Sequence, residues 1–426
     1  MPPLTDHPLR YALANELHAR PFPSLSAPCT AVFLAIKQPE QAAARDRGAD
    51  RAHLLDLLDR FGAAHPSPEG NHYFGKIGKH SLKWESHTEF VTYTVFIEHL
   101  PERAFDPSDF EVFPADWLQE APGARITSAL IRVETRGSES ALSRAISEWF
   151  VGESVAVARV LDDAAVVAGD FRIDAAGHSR FAVSADKDIG ERRMGRIVQR
   201  LCEIETYKTM SMLGFARVGE MSGRMGQIDG ELTRLIAEMS SGEHPAEDTL
   251  RSLLKVSAEL EAMVSDASFR FSATHAYEGI VTQRIEVLRE ERFEGRQTFE
   301  EFMSRRYTPA MRTVSSTEAR LRAMADRAMR AGDLLRTRVD VERSAQNQAL
   351  LESMDRRADA QLRLQRTVEG LSVVAISYYA VSLSVYLLDP AAAAMGMSKG
   401  LVTAGVTLPI IGLVWWAIRR VRKHLD

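Results

Sequence analysis

Two uncharged runs near the carboxyl end limit the fold of this chain more than any other feature. Residues 370–388 read GLSVVAISYYAVSLSVYLL and residues 401–418 read LVTAGVTLPIIGLVWWAI, with no charged side chain in either run. As helices at 1.5 Å per residue they would cover about 27–29 Å, close to the hydrocarbon thickness of a bilayer. Only 11 residues, Asp389 to Lys399, separate them. Buried core helices are the alternative, but two such runs in tandem favour a transmembrane hairpin.

Basic side chains lie outside both ends of this hairpin and predict its orientation. Positive residues stay on the cytoplasmic side of a membrane protein. The first run is preceded, and the second followed, by such residues: Arg356, Arg357, Arg363 and Arg366 before, and Arg419, Arg420, Arg422, Lys423 and His424 after. The amino terminus lacks the apolar core of a signal peptide. We therefore expect a bacterial-type inner-membrane protein with both termini and a basic tail in the cytoplasm.

Secondary-structure patterns in the remaining sequence predict two further domains. Residues 1–185 alternate strand signals such as CTAVFLAI and ARITSALIRVE with helical patterns, which indicates a cytoplasmic α/β domain. Residues 186–366 read as long helices, a bundle and stalk that leads into the hairpin at 367–426. The predicted fold class is thus an α+β amino-terminal domain, a long helical bundle or stalk, and two carboxyl-terminal transmembrane helices.

The last long helix carries a heptad-like apolar seam. Its members are spaced by three, four or seven residues: Val314, Leu321, Met324, Ala328, Ala331 and Leu335. A single helix cannot bury such a seam alone, so it needs the preceding helices, sister subunits, or both. We expect a homo-oligomer with coiled-coil character.

Composition excludes several classes of function. The net charge of −5 gives no global basic excess, so nucleic acid is not an expected partner. Cys29 and Cys202 lie far apart in the sequence, which fits a reducing compartment and argues against a disulfide framework. No HExxH or GxSxG motif and no array of metal ligands is present, so the chain is not expected to be an enzyme.

The amino-terminal segment HPLRYALANELHARPFP is a candidate binding site. It predicts a short amphipathic helix bounded by prolines. Four polar side chains could converge there as an anion or partner site: Arg10, Glu16, His18 and Arg20. A structural ion-pair cluster that docks the segment explains the same residues.

Small residues recur in the two apolar runs. Gly370, Ser377 and Ser384 are spaced by seven residues, which lets helices approach closely and lets hydroxyls bond across the contact. Packing within one hairpin is one interpretation. Assembly of several hairpins around a wet pore lined by the serines is the other.

Three blocks of sequence resemble one known family. The segments HPLRYALANELHARPFP, GKHSLKWESHTEFVTYT and EGLSVVAISYYAVSLSVYLL, the last with its basic tail, look like the domain-of-unknown-function family 3422. The resemblance spans nearly the whole chain. It implies an uncharacterised membrane-anchored protein.

The order of domains is also similar to the CorA-type magnesium channels. That looser resemblance implies a pentamer in which a Gly-Met-Asn at the outer end of the first span admits hydrated cations. The nearest equivalent here is Gly396-Met397-Ser398 in the predicted loop. No cofactor is known for the resembled families, and the channel resemblance implies a divalent cation as the species bound or carried.

Two hypotheses of function follow. In the first, the chain is a CorA-like homo-oligomeric cation channel, and five residues of the first span and its ends line the pore: Glu369, Gly370, Ser377, Ser384 and Asp389. In the second, it is a non-transporting membrane-anchored binding or scaffold protein. Its cytoplasmic head then binds a ligand or partner through the segment from Arg10 to Arg20.

Overall fold

The computed structural model describes residues 4–16, 22–40, 42–68, 70–241 and 244–422. The chain forms two compact units. The first comprises residues 1–241 and 251–331, and the second comprises residues 242–250 and 332–426.

A nine-stranded mixed sheet forms the centre of the first unit. Its strands follow each other across the sheet in the order β2-β3-β4-β1-β5-β8-β7-β6-β9, and β5 and β8 are the parallel pair. The predicted α/β character of this part is confirmed. The strands are β1 (Cys29–Lys37), β2 (His72–Ile77), β3 (His80–Ser86), β4 (Phe90–Ile97), β5 (Ala124–Thr135), β6 (Ala156–Val160), β7 (Ala165–Ile173), β8 (Ser179–Ala185) and β9 (Glu291–Arg292).

Short helices and a hydrophobic core cover one face of the sheet. The core contains a buried aromatic group in which His53 stacks on Trp117 and hydrogen-bonds Tyr93, with 3.0 Å between Nδ1 and the hydroxyl oxygen. Burial lowers the pKa of His53, so its neutral form is favoured. The short helices of the unit are α1 (Arg10–Glu16), α2 (Arg47–Arg60), α3 (Ala115–Gln119), α4 (Glu139–Trp149) and two 3₁₀ helices (Ala42–Ala44 and Pro107–Val112).

A long helix, α5 (Glu191–Ser241), covers the opposite face and packs on β1, β5 and β8. The chain before β1 lies directly against the start of α5. A Cβ added to Gly195 would lie 1.6 Å from the Pro23 carbonyl oxygen, so only glycine permits this approach.

Two further helices pack beside α5 in the first unit. They are α6 (Ala246–Glu286) and the amino-terminal part of α8 (Thr308–Ala394); the short α7 (Phe299–Arg306) precedes α8. Ion pairs connect the three long helices, from Arg224 to Glu259 (2.5 Å) and from Arg327 to Asp229 (2.5 Å). The six residues of the predicted seam are all buried within one chain. Their burial therefore provides no argument for sister subunits.

The segment after α6 differs from the predicted continuous helix. We expected a helix from about residue 247 to 291, but α6 ends at Glu286 and residues 291–292 return to the sheet as β9 beside β6. Positive φ angles at Arg289 (50°) and Gly295 (72°) turn the chain away from helical geometry. Buried Leu288 and Phe293 hold the turn in the first unit.

The second unit contains the apolar end of α8 and the last helix, α9 (Lys399–Arg422). Both helices are long and apolar enough to cross a membrane, with mean hydropathies of 1.8 and 2.0. Only 11% of the most apolar window of each is buried, so these surfaces are not covered by a protein core. Helical geometry extends from the first run into the predicted loop 389–399. Helix α8 continues through Pro390 to Ala394, because four alanines with high helix propensity follow the proline.

Candidate functional site

Four polar side chains lie on the face of the sheet that α5 covers. Lys83 and Glu85 alternate on β3, and their cross-strand partners on β4 are Thr94 and Thr92. All four are buried or nearly so. A sheet face beneath a helix is ordinarily apolar, so four polar side chains at this place are unusual and need hydrogen-bond partners.

Lys83 is the buried cation of this group. Its side chain is 6% exposed, and its Nζ donates to the Gln199 side-chain oxygen (2.8 Å) and lies 3.1 Å from the Glu85 carboxylate. An ammonium has three donors. The described residues accept two of them, which leaves one donor for another acceptor.

A cavity of about 30 Å³ lies beside this lysine, between the sheet and α5. That volume holds about two water molecules or a polar group of similar size. The cavity continues toward an aromatic edge where His87 stacks on Phe90, with ring centroids 4.4 Å apart. Residues from both layers line it, among them Pro23, Thr94, Gln199, Cys202, Glu203 and Tyr207.

The cysteine in this cavity is not an activated nucleophile. Burial raises the pKa of the Cys202 thiol far above its usual range, although the charge of Lys83 opposes the shift. Burial likewise raises the pKa of Cys29 to about 12. Both thiols are therefore protonated at neutral pH, and thiolate chemistry is disfavoured.

A second buried charge on the same face differs from Lys83, because it is fully paired. The Glu205 carboxylate accepts hydrogen bonds from Thr127 (3.1 Å) and Ser179 (3.2 Å) and pairs with Lys208 (2.8 Å). Such a network attaches α5 to the sheet. Lys83 differs from Glu205 because one of its N–H donors is unused.

The loop between β3 and β4 forms one edge of the cavity and is fixed by Arg45. This buried guanidinium donates to the carbonyl oxygens of His87 (2.7 Å) and Phe90 (3.1 Å), and to that of Thr88. The Asp50 carboxylate, 2.6 Å from Arg45 Nε, balances its charge. Arg45 therefore fixes the loop through its backbone carbonyl groups and does not bind the side chains of residues 87–89.

One of those side chains, Glu89, connects the loop to α6. It is fully buried, forms an ion pair with Arg270 and accepts a hydrogen bond from the Tyr277 hydroxyl (2.9 Å). Burial and the charge of Glu89 raise the pKa of Tyr277. Burial and the nearby Arg270 lower the pKa of Lys37, while Glu89 opposes that shift. This cluster is an internal ion pair that positions the edge of the cavity.

The predicted amino-terminal site is described only in part. Arg10 lies in α1 and pairs with Asp6, which also accepts a hydrogen bond from Tyr11 (3.1 Å). The Arg10 side chain is 65% exposed. The Glu16 side chain, His18 and Arg20 lie outside the described residues, so their convergence with Arg10 stays a prediction.

The charged residues at the two ends of the predicted pore, Asp389 at the mouth and Glu369 at the inner end, have partners within the chain. The Asp389 carboxylate lies 3.7 Å from Lys399 Nζ across the tip of the hairpin. Glu369 is half-buried and accepts a hydrogen bond from the Gln365 amide (3.0 Å). An acidic ring at Asp389 would therefore have to form beside an equal number of lysines.

The small residues of the first span differ in exposure. Gly370 is exposed, Ser384 is half-buried, and Ser377 is buried against α9. Ser377 is thus the buried member of the stripe, and it lines one cleft together with residues of α9.

The Gly396-Met397-Ser398 segment forms the turn of the hairpin. Gly396 has φ +70°, and the Met397 N–H donates to the Ala392 carbonyl (3.1 Å), an arrangement that closes the end of α8. The Ser398 carbonyl accepts from the N–H of Leu401 (3.0 Å) at the start of α9. The helix termini account for glycine at 396 and for the position of Ser398 without reference to an ion.

No group of three or more His, Cys, Asp or Glu side chains in the described part of the chain is arranged to hold a metal ion. The divalent cation implied by the channel hypothesis stays a prediction.

Sequence reasoning missed the residues of the cavity. The alternation in SLKWES (81–86) places Lys83 and Glu85 on one face of β3, which by itself predicts a solvent-exposed edge. Gln199, which accepts from Lys83, is 116 residues away, and no local pattern predicts that α5 covers the polar face.

Together, the sheet with its polar cavity, the long helices and the apolar hairpin define a class of protein: an α/β head with carboxyl-terminal helices suited to membrane association. The chain belongs to the family described as Protein of unknown function (DUF3422), whose sequence profile matches residues 5–425. This match confirms the predicted family. No curated protein and no solved structure matches the chain. The comparisons give no support to the resemblance to CorA-type channels.

Proposed function

We propose that this chain is a membrane-anchored binding protein whose head binds a small polar ligand in the cavity beneath α5. The buried Lys83 with an unused donor is the observation that carries the proposal. A buried ammonium is costly unless it is fully paired, and a protein tolerates that cost where the group contacts a ligand. The ligand offers an acceptor, such as a carboxylate or carbonyl oxygen, to Lys83.

The aromatic edge gives the ligand its second contact. His87, Phe90 and Tyr207 lie at one end of the cavity, where their rings pack the less polar part of a bound molecule. Pro23 lines the same cavity, and only two residues separate it from Arg20. Arg10, Glu16, His18 and Arg20 stay ligand or partner candidates of the head in this proposal, because the segment that carries them precedes Pro23 in the sequence.

We propose that the two apolar helices anchor the head to a membrane. Their length and hydropathy support insertion, and the basic residues outside both ends favour the cytoplasmic side of a bacterial-type inner membrane for both termini. We also propose that the chain forms a homo-oligomer, specifically of five subunits. Native mass spectrometry of the detergent-solubilised protein measures the number of subunits.

A ligand screen tests the head. Full-length protein in detergent is melted with a series of carboxylates small enough for the cavity, such as formate and acetate, and a true ligand raises the melting temperature. The Lys83→Met variant should lose the shift. Lys76→Met is the matched control, because Lys76 lies on the adjacent strand with a side chain that is 64% exposed. A shift of equal size in Lys83→Met would contradict the proposal.

A homo-oligomeric cation channel is the second candidate. It is supported by the largely uncovered surfaces of the two apolar helices, which would let several hairpins assemble around a path for hydrated ions. Asp389→Ala should then lower cation flux into liposomes. Absence of flux for every cation with the wild-type chain would remove this candidate.

A further inference from the structure

The part of α8 that precedes its apolar run carries an uncovered apolar face. Between residues 350 and 368, large apolar side chains follow one side of the helix and most of the charged side chains follow the other. The described part of the chain leaves this 350–368 face uncovered, because each of its large apolar side chains is more than half exposed: Leu350, Leu351, Met354, Leu362, Leu364 and Val368. The buried seam of α8 ends earlier, at Val339.

The residues of the 350–368 face recur at the spacing of a helical bundle. Leu350, Leu362 and Leu364 flank its central line, at positions that a two-stranded coiled coil usually fills with charged residues. The face is therefore wide enough for each helix to contact two neighbours. The central line consists of residues three or four positions apart: Leu351, Met354, Ala358, Gln361, Gln365 and Val368.

A bilayer does not cover the first half of this face. Helix α8 has no internal proline before Pro390, so the 350–368 stretch continues along the axis of the first span and does not lie flat on a membrane surface. Met354 lies about 24 Å before Gly370 along the helix, and Leu350 about 30 Å, at 1.5 Å per residue. The headgroup region of a bilayer is only about 5–8 Å thick on each side. Another protein surface has to cover these side chains.

A sister chain presents the same face at the same height. Insertion of the first span gives every copy one orientation and one depth, so the 350–368 stretches of two copies lie parallel and in register. Gln361 suits such a pair, because it is exposed and has no hydrogen-bond partner among the described residues. Its amide both donates and accepts, so it bonds the same residue of a neighbour. A single polar position of this kind fixes the register of a helical bundle.

The uncovered area is sufficient for a stable contact. A fully exposed side chain of leucine size offers about 100 Å² of apolar surface, so six that are more than half exposed offer about 350 Å² in each chain. Two facing chains would bury about 700 Å² of apolar surface. That is the apolar share of an interface of about 1,200 Å², the lower end of the range for specific complexes.

We propose that the 350–368 face of α8 packs against the same face of sister chains in a parallel bundle of three or more helices. Leu351, Met354 and Ala358 form apolar layers of this bundle, and Gln361 forms a polar layer. The inference rests on the proposed membrane insertion and on the proposed homo-oligomer, for which it names the contact surface. It is independent of ligand binding in the head.

Cysteine cross-linking of the full-length chain in membranes tests this surface. Ala358→Cys should form a disulfide between chains under mild oxidation, because residue 358 lies on the apolar face. Ala360→Cys is the matched control, since it replaces another exposed alanine about 200° around the helix. The disulfide should be lost in this control, because the bond needs Cβ atoms about 3.5–4.5 Å apart. The native Cys29 and Cys202 are buried and should not contribute.

A charge in the polar layer provides a second test. Gln361→Glu would bring one carboxylate from each chain together and remove the amide pair. The concentration at which the oligomer half-dissociates should rise about ten-fold. Ala360→Glu adds the same charge on the opposite face and should leave that concentration unchanged. Both positions are exposed within one chain, so neither variant should alter the melting of the head. Native mass spectrometry at several protein concentrations measures the dissociation.

The outcomes separate this inference from the proposals on which it rests. Equal cross-linking of Ala358→Cys and Ala360→Cys, or a cross-linked product that contains another protein, would overturn it. An oligomer that Gln361→Glu leaves intact, without a disulfide in Ala358→Cys, would overturn this inference and leave the homo-oligomer in place. A monomeric wild type would overturn both. Release of the wild-type chain from membranes by carbonate would overturn the anchoring together with this inference.

Discussion

The guanidinium of Arg45 lies 2.6 Å from the Asp50 carboxylate, and both side chains are almost completely buried. Asp50→Asn would leave the arginine charge buried without its counterion. We expect a loss of about 3–5 kcal/mol in the free energy of unfolding, the cost of breaking a buried ion pair. Urea denaturation of the full-length protein measures it.

The exposed pair of Arg60 and Asp56 is the control for this change. The two residues lie 2.8 Å apart on the surface of α2. Asp56→Asn should cost at most about 1 kcal/mol, since exposed pairs contribute little. Equal effects of Asp50→Asn and Asp56→Asn would show that burial of the Arg45–Asp50 pair adds nothing to the cost of losing it.

Glu290 predicts a pH dependence of stability. Burial raises its pKa from 4.5 to about 7, against the hydrogen bonds it accepts from the N–H groups of Glu300 and Phe299. The folded state therefore binds the proton more tightly than the unfolded state. This contribution to stability is complete below pH 4.5 and is lost as the pH rises toward 7, a change of about 3 kcal/mol.

Glu290→Gln should remove that component. Between pH 4.5 and 7.5, the urea midpoint of the wild type should fall relative to the variant. Glu291→Gln, at the exposed neighbouring position, is the control and should follow the wild type. A midpoint that rises with pH in the wild type relative to Glu290→Gln would show that the pKa of Glu290 is not raised in the folded state.

The proposed orientation predicts which positions react with a membrane-impermeant maleimide. Ser398→Cys lies at the exposed turn of the hairpin and should be labelled in intact spheroplasts. Arg356→Cys, also exposed, should be labelled only after permeabilisation. The native Cys29 and Cys202 are buried, so background labelling should be low. The opposite pattern would place both termini outside the cytoplasm.

We expect alanine substitutions at Gly396 and Gly400 to change the stability of the hairpin in opposite directions. Gly396 has φ +70°, so Gly396→Ala should destabilise the hairpin by about 1 kcal/mol. Gly400 lies in α9 with open space around its Cα, so Gly400→Ala should stabilise it by up to about 1 kcal/mol. Thermal melting in detergent, followed by tryptophan fluorescence, compares them. A stabilising Gly396→Ala would show that the turn does not need a left-handed residue.

Local patterns predicted much of the fold. The run CTAVFLAI became β1, and ARITSALIRVE became β5 within two residues. The two apolar runs lie in α8 and α9, because hydropathy and helix propensity are properties of neighbouring residues. The first uncharged run ends before Asp389, whereas the helix continues to Ala394, because alanines follow Pro390.

Long-range contacts explain what the sequence could not predict. Lys83 meets Gln199 across 116 residues, and Glu89 meets Arg270 across 181. Alternation along β3 indicates that Lys83 and Glu85 share a face, but not that α5 lies over it. Likewise, the spacing of Ser377 predicted a contact with another helix without stating that its hydroxyl would be left unpaired.

Helix α5 connects the cavity to the ion pairs among the long helices. Cys202 near its beginning lines the cavity, and Asp229 near its end pairs with Arg320 and Arg327. Its 51 residues extend for about 76 Å at 1.5 Å per residue. A tilt of a few degrees at the cavity would therefore displace the far end by several ångströms, so a ligand between the sheet and α5 would be detectable at the distant ion pairs.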